Sequence, residues 1–125
     1  AGLGQAGTEQ AGLGAVMLDR FPDGQGPRRS YIGPNAFADV MAKLVSLAAG
    51  GRDLPAHLNL ALPGTVAMAD LLRAAAVPFD WRAAPVGALA EVELDVGRLA
   101  ALVRVPLACP AAIVQDWQTY AKGVA

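Results

Sequence analysis

The sequence predicts a small mixed α/β fold, and three observations predict it. Between Pro34 and Gly51 apolar residues recur at helical spacing. AHLNLAL (Ala56 to Leu62) instead alternates strictly, leucines on one face and His57 and Asn59 on the other. Gly/Pro pairs stand where the period changes. The resulting order is β-β-α-β-α-β-β-α-α, with no internal repeat and without the run of alternating strands and helices that builds a complete doubly wound sheet.

Residues 1–14 are an Ala/Gly-rich loop. AVMLDRF (Ala15 to Phe21) has strand character and runs into PDGQGP, whose Pro22, Asp23, Gly24, Gly26 and Pro27 supply turn chemistry. RRSYI reads as a second short strand, joined to the first by a hairpin or a tight loop. Gly33-Pro34 opens the first helix, proline being tolerated at a first helical position. Its apolar residues are Phe37, Val40, Met41, Leu44, Val45 and Ala48, and Gly50-Gly51 ends it. After the AHLNLAL strand come Pro63-Gly64 and an Ala-rich helix, VAMADLLRAAA. FDWRA and EVEL are short strands, and Asp95 is placed to cap a small helix through Leu102. Pro110 starts the last helix, with Ile113, Val114, Trp117 and Ala121 on one face.

Composition restricts function. The chain has 125 residues, 54% hydrophobic and 17% charged, against about 25% charged in a typical soluble domain. Too few charges remain to cover so small a body, which implies that another segment of a larger protein, or a partner subunit, hides part of its apolar area. A membrane is not the expected cover: the longest charge-free run, Leu54 to Ala69, contains Pro55, Pro63, His57 and Asn59 and is shorter than a span of about 20 residues. A net charge of −1 with scattered basic residues offers no stripe for nucleic acid. One cysteine and one histidine allow neither an internal disulfide nor a Cys/His zinc spacing. With no Lys/Arg-led signal peptide, a reducing cytoplasm is the expected compartment.

GLGQAG (Gly2 to Gly7) spells the G-x-G-x-x-G dinucleotide fingerprint, but that loop needs a strand before it and a helix after it. Gly12 and Gly14 interrupt any such helix, and Asp19 lies too near to receive a ribose, so an Ala/Gly-rich loop is the reading. His57 and Asn59 lack a second histidine or a cysteine nearby and read as structural or surface groups. Glu91, Glu93 and Asp95 alternate along a strand, as a carboxylate pair or a solvated face would. Cys109 has no base beside it and reads as inert. PDGQGPRRSYIGP is richer. Strand alternation sends Arg28 and Arg29 to opposite faces, and a guanidinium held by a strand matches phosphate oxygens in two-point contact. Spacing alone leaves a diphosphate clamp and a pair of surface arginines both open.

FPDGQGPRRSYIGPNAFADVMAKLV resembles a segment of the extended short-chain dehydrogenase/reductases, the NAD-dependent epimerase/dehydratase family that works on nucleotide sugars and related compounds. There a pattern gdG-x-x-x-R-D-[YF]-[IV]-x-V, followed by a helix, brings an arginine to the nucleotide diphosphate. Arg29 falls on that arginine and Tyr31 on the aromatic position. LNLALPGTVAMADLL is similar to the family's vyNvg strand and vsm-x-eL helix, with Asn59 on the asparagine. ELDVGRLAALVRVP resembles its D-t-s-r-L and closing lp segments, with Asp95 and Arg98 in register. Ser30 departs from the usual acidic residue, and Gly33-Pro34 from a polar-valine pair. Arg82 is the candidate for a second phosphate-binding arginine.

The resemblance, running from about Val16 to Trp117, implies the C-terminal substrate lobe of such an enzyme, an α/β unit with a small mixed sheet and the Rossmann cofactor domain largely absent. Residues 1–14 would then be the loop leaving that domain and residues 15–125 the lobe. It further implies substrate-binding roles for Arg29, Tyr31 and Arg82, a nucleotide-sugar or related ligand, and NAD or NADP in the full-length protein, with none bound by these residues alone. No catalytic pair is present: Asn35 and Val124 stand where Tyr31 and Tyr120 would need the lysine of Tyr-x-x-x-Lys. The lobe is therefore expected to be non-catalytic by itself. The alternative from another class is a small non-catalytic binding or dimerisation module.

Overall fold

The computed structural model describes residues 16–124; the expected 1–14 loop and its GLGQAG stretch lie outside the described residues. The chain is a small mixed α/β structure, with two small sheets and four helices among the described residues. The strands are β1 (Val16–Arg20), β2 (Arg28–Arg29), β3 (Val66–Ala67), β4 (Phe79–Ala83) and β5 (Glu91–Val92). The helices are α1 (Pro34–Ala49), α2 (Met68–Ala74), α3 (Gly97–Ala100) and α4 (Pro110–Val124). The order is the one the sequence predicts, but its third strand falls at Val66–Ala67 rather than on AHLNLAL. One sheet pairs β1 with β4; the other has the order β3-β2-β5. The chain divides into two compact units, changing between them at Arg28/Arg29, Val66/Ala67 and Glu91/Val92.

The first unit holds β1, α2 and β4. β1 and β4 run parallel, Val16 opposite Phe79 through Arg20 opposite Ala83, and Leu18, at the middle of β1, is buried. No hairpin joins β1 to β2. The Phe21 N–H donates to the Gln25 carbonyl at 2.9 Å, the Gly24 N–H to the Phe21 carbonyl at 2.8 Å, and the Gln25 N–H to Asp23 Oδ1 at 2.9 Å. These bonds close a tight loop, with Gly24 at φ 83°. The loop lies against β4 instead: a Cβ on Gly26 would come within 2.8 Å of the Trp81 ring, so only glycine fits. At the end of α2 the Val77 N–H reaches the Leu72 carbonyl at 2.9 Å, which closes a Schellman-type turn on Ala76 at φ 57°. Glycine usually fills that left-handed position; alanine there carries strain from its Cβ.

The second unit is built on α1. Val40 and Leu44 form a buried cluster with Leu99 of α3 and Val103, and Leu54, Leu58 and Leu60 pack against it from the extended segment. The alternation read in AHLNLAL is thus realised as burial up to Leu60, with His57 and Asn59 exposed. It is not realised as a ladder: residues 56–62 form no strand, and the Leu62 N–H donates singly to the Tyr31 carbonyl at 2.9 Å. Alternation reports a covered face, and a leucine row against helices covers it as well as a second strand would.

The N-terminus of α1 is closed from outside. Gly33 at its N-cap has no side chain to offer, and Asp116 of α4 takes the place of a local cap. Its Oδ1 accepts from the Asn35 N–H at 2.8 Å, its Oδ2 from the Ala36 N–H at 3.0 Å, and its carbonyl from Asn35 Nδ2 at 3.3 Å. A Cβ on Gly33 would collide with the Asp116 carboxyl group, so this glycine makes room for the cap. The cap also decides which side of α4 is covered. Ile113 is buried and Asp116 half-buried, while Trp117 and Ala121, read from the sequence as part of the apolar face, are exposed.

Asp116→Ala is expected to lower stability by about 1–2 kcal/mol, the scale of a lost helix cap, and Gly33→Ala to lower it as well, both measured as a shifted urea midpoint at unchanged slope. Ala76→Gly is expected to raise stability by about 1 kcal/mol, because the left-handed strain of alanine exceeds the added chain entropy of glycine.

Candidate functional site

Arg28 and Arg29 make up β2, Arg28 exposed and Arg29 half-buried. Arg28 pairs loosely with Glu91, Nε to Oε2 at 3.7 Å with both side chains about half exposed, a contact worth little in water. Arg29, its neighbour on β2, is half-buried. Ser30 and Tyr31 continue the chain without extending the ladder. Ser30 Oγ accepts the Leu94 N–H at 2.8 Å and the Tyr31 carbonyl accepts the Leu62 N–H. These bonds hold the backbone on which the Arg29 and Tyr31 side chains stand. Burial raises the Tyr31 phenol above its ordinary value of 10.0, while the nearby positive charge of Arg29 pulls the other way. A guanidinium beside a neutral phenol is a pair of donors suited to an anionic oxygen. The first turn of α1, which follows, cannot add to them, since Asp116 already takes the Asn35 and Ala36 amides.

Arg82, the third residue expected to bind substrate, belongs to the first unit, on β4. Its Nε donates to Asp19 Oδ1 at 2.8 Å across the β1–β4 register, and its side chain remains 59% exposed.

A grouping the sequence reading did not assemble lies in the second unit. His57, Asn59, Asp95, Gly97 and Arg98 line a cleft of about 530 Å³. Asn59 Nδ2 donates to the Asp95 carbonyl at 2.9 Å, and Arg98 donates to the His57 carbonyl at 3.3 Å. Asp95 Oδ1 accepts the Gly97 N–H at 2.9 Å in a turn just ahead of α3, whose N-cap is Val96 rather than Asp95 and which ends at Ala100 rather than Leu102. The only signal in the sequence was that Asn59, Asp95 and Arg98 each fell in register with the same resemblance. The supposed carboxylate face does not form, because β5 ends at Val92 once the Leu94 amide turns to Ser30, and Asp95 lies in the turn beyond. Cys109 is exposed.

Among the described residues no three His, Cys, Asp or Glu side chains are grouped to hold a metal, and no helix is long and apolar enough to cross a membrane. Compared with protein-family models, curated proteins and solved structures, the chain gives no match.

The Arg29–Tyr31 pairing has a spectroscopic consequence. In a Tyr120→Phe background, ultraviolet titration of the one remaining tyrosine should place its ionisation above 10.0. Arg29→Gln should move it higher still, since it removes the charge that favours phenolate. Because the folded value is the raised one, the associated stability is complete below the unfolded value and lost as pH climbs through the folded one. A titration unmoved by Arg29→Gln would separate the two residues.

Proposed function

We propose that this chain is the substrate-binding lobe of an NAD(P)-dependent epimerase/dehydratase-like oxidoreductase, in which Arg29 grips the diphosphate of a nucleotide-sugar-like ligand and Tyr31 supports it. The observation that carries this reading is the half-buried Arg29 beside the Tyr31 phenol, at the end of a short strand and directly ahead of α1. A strand fixes where the guanidinium points, and partial burial strengthens its charge-assisted bonds to phosphate oxygens. A second support is that Asn59, Asp95 and Arg98, which the resemblance draws from separated segments, line one cleft. The lobe supplies binding and orientation. The nicotinamide and the proton-transferring Tyr-x-x-x-Lys pair would belong to a cofactor domain outside these residues, with NAD or NADP as the redox partner.

The outer side of α1 favours a second reading. Phe37, Met41 and Val45 form a stripe at i, i+4, i+8 and are all exposed, Val45 at 63%. In the first reading the cofactor domain covers this stripe. In the second the chain is a small non-catalytic binding or dimerisation module, and a partner subunit covers it.

Arg29→Ala, in the protein that carries this lobe, should weaken binding of a nucleotide sugar such as UDP-glucose at least tenfold, read by calorimetry; unchanged affinity would remove the clamp. Coding sequence ahead of Ala1 should specify a G-x-x-G-x-x-G loop and Tyr-x-x-x-Lys. Light scattering separates the readings: a dimer of the 125-residue chain that Met41→Lys dissociates would favour the module.

A further inference from the structure

The sheet of the first unit is open at an edge. Parallel strands ordinarily lie within larger, covered sheets, yet among the described residues β1 and β4 have no third strand beside them. The register decides which backbone groups are left over. The Ala84 N–H donates to the Arg20 carbonyl at 3.0 Å, so the amides of Asp80 and Arg82, at alternate positions before it, also turn toward β1. Those of Phe79, Trp81 and Ala83 turn outward, and among the described residues they meet no partner. Edge strands are commonly blunted by proline or lysine; FDWRA contains neither.

The charges of β4 stand symmetrically about Trp81, Asp80 before it and Arg82 after it. When two copies of this strand lie antiparallel across a two-fold axis at Trp81, the whole strand overlaps: Phe79 faces Ala83 of the other copy, Trp81 faces Trp81, and Asp80 faces Arg82. The outward amides then fall at the hydrogen-bonded pairs. Asp80 and Arg82 fall at the non-hydrogen-bonded pairs, where opposed Cα atoms are about 4.5 Å apart and side chains approach most closely. The adjacent registers that keep outward groups paired set Asp80 against Asp80, or Arg82 against Arg82, and like charges so opposed are destabilising. Only the centred register is complementary.

The side chains suit this pairing. Asp80 is exposed, and Arg82 uses only Nε on Asp19, which leaves its two Nη donors for a second carboxylate. Asp19 lies opposite Arg82 on the same face, so joining two copies builds a row of alternating sign: Asp19, Arg82, then Asp80 of the second copy. The β1 sequence offers no such match, since VMLDR about its own centre sets Asp19 against Met17. We infer that the β4 edge binds the β4 edge of a second copy of this chain, antiparallel about Trp81, joining two parallel pairs into one four-stranded sheet. Such a contact presents the same surface from both copies and closes at two. It uses neither Arg29 nor the α1 stripe and is independent of both functional readings.

One short strand from each copy makes a small contact, so weak, concentration-dependent association is expected. Sedimentation equilibrium of the 125-residue chain should return a monomer–dimer equilibrium, which Asp80→Arg and Arg82→Asp should each weaken by about tenfold or more. Mixing the two variants should restore pairing to within about threefold of the parent, because each then meets opposite charge at both positions. Ala83→Pro removes an outward N–H from an exposed residue, spares the bonds to β1, and should also dissociate the dimer at an unchanged circular dichroism spectrum. Met41→Lys should leave it intact. A chain that stays monomeric at about 1 mM would overturn the inference, as would a dimer that survives both charge reversals. Two folded reversal variants that fail to pair when mixed would overturn the register. Asp80 lies opposite Met17 rather than Asp19, so Asp80→Arg and Ala83→Pro carry the test should Arg82→Asp not fold. A dimer lost in Met41→Lys and kept in Asp80→Arg would move the interface to α1.

Discussion

The carboxylate of Asp116 at the head of α1 is the contact on which the second unit depends. A helix begins with amides that its own backbone cannot satisfy, and here the residue that would ordinarily serve them is Gly33, with nothing to offer. Asp116 reaches from the far end of the chain and takes two of them, separated from Asn35 by 81 positions. Its negative charge also faces the positive end of the α1 dipole. One side chain thus satisfies the helix start, ties α4 to α1, and selects the rotation of α4 that buries Ile113.

This tie limits what the neighbourhood of Arg29 can do. An uncapped helix start would be an anion site in its own right, but these amides are already occupied by a carboxylate. In the proposed reading, anion recognition in the second unit therefore falls to side chains, with Arg29 and Tyr31 as the pair that performs it. Their backbone is held by Ser30 and Tyr31 accepting amides from Leu94 and Leu62. Ser30, where the pattern it resembles has an acidic residue, thereby has a structural use: its hydroxyl takes the Leu94 amide just past the end of β5.

The two units handle arginine differently. In the second, Arg29 is half-buried, and its charge influences the phenol beside it. In the first, Arg20 rests on an indole and Arg82 on a screened carboxylate. Stacked or bridged guanidinium groups lose less freedom when a ligand arrives than extended ones do. The glycines follow the same logic, Gly26 admitting the Trp81 ring and Gly33 the Asp116 carboxyl.

Residues close in sequence were legible. The α1 period, the FDWRA strand, the Pro110 helix start and the Asp95 turn are set by local spacing, proline geometry and short-range hydrogen bonds, and each stands where the sequence puts it. Partners distant in sequence were not legible. Local pattern could not say that β1 takes β4 rather than β2, that the leucines of AHLNLAL meet helices, or that Trp117 stays outside while Asp116 turns in. Nor could it bring Asn59 to Asp95, or set Arg20 on Trp81. Those choices belong to the tertiary structure, because a hydrophobic period records that a face is covered and carries no information about what covers it.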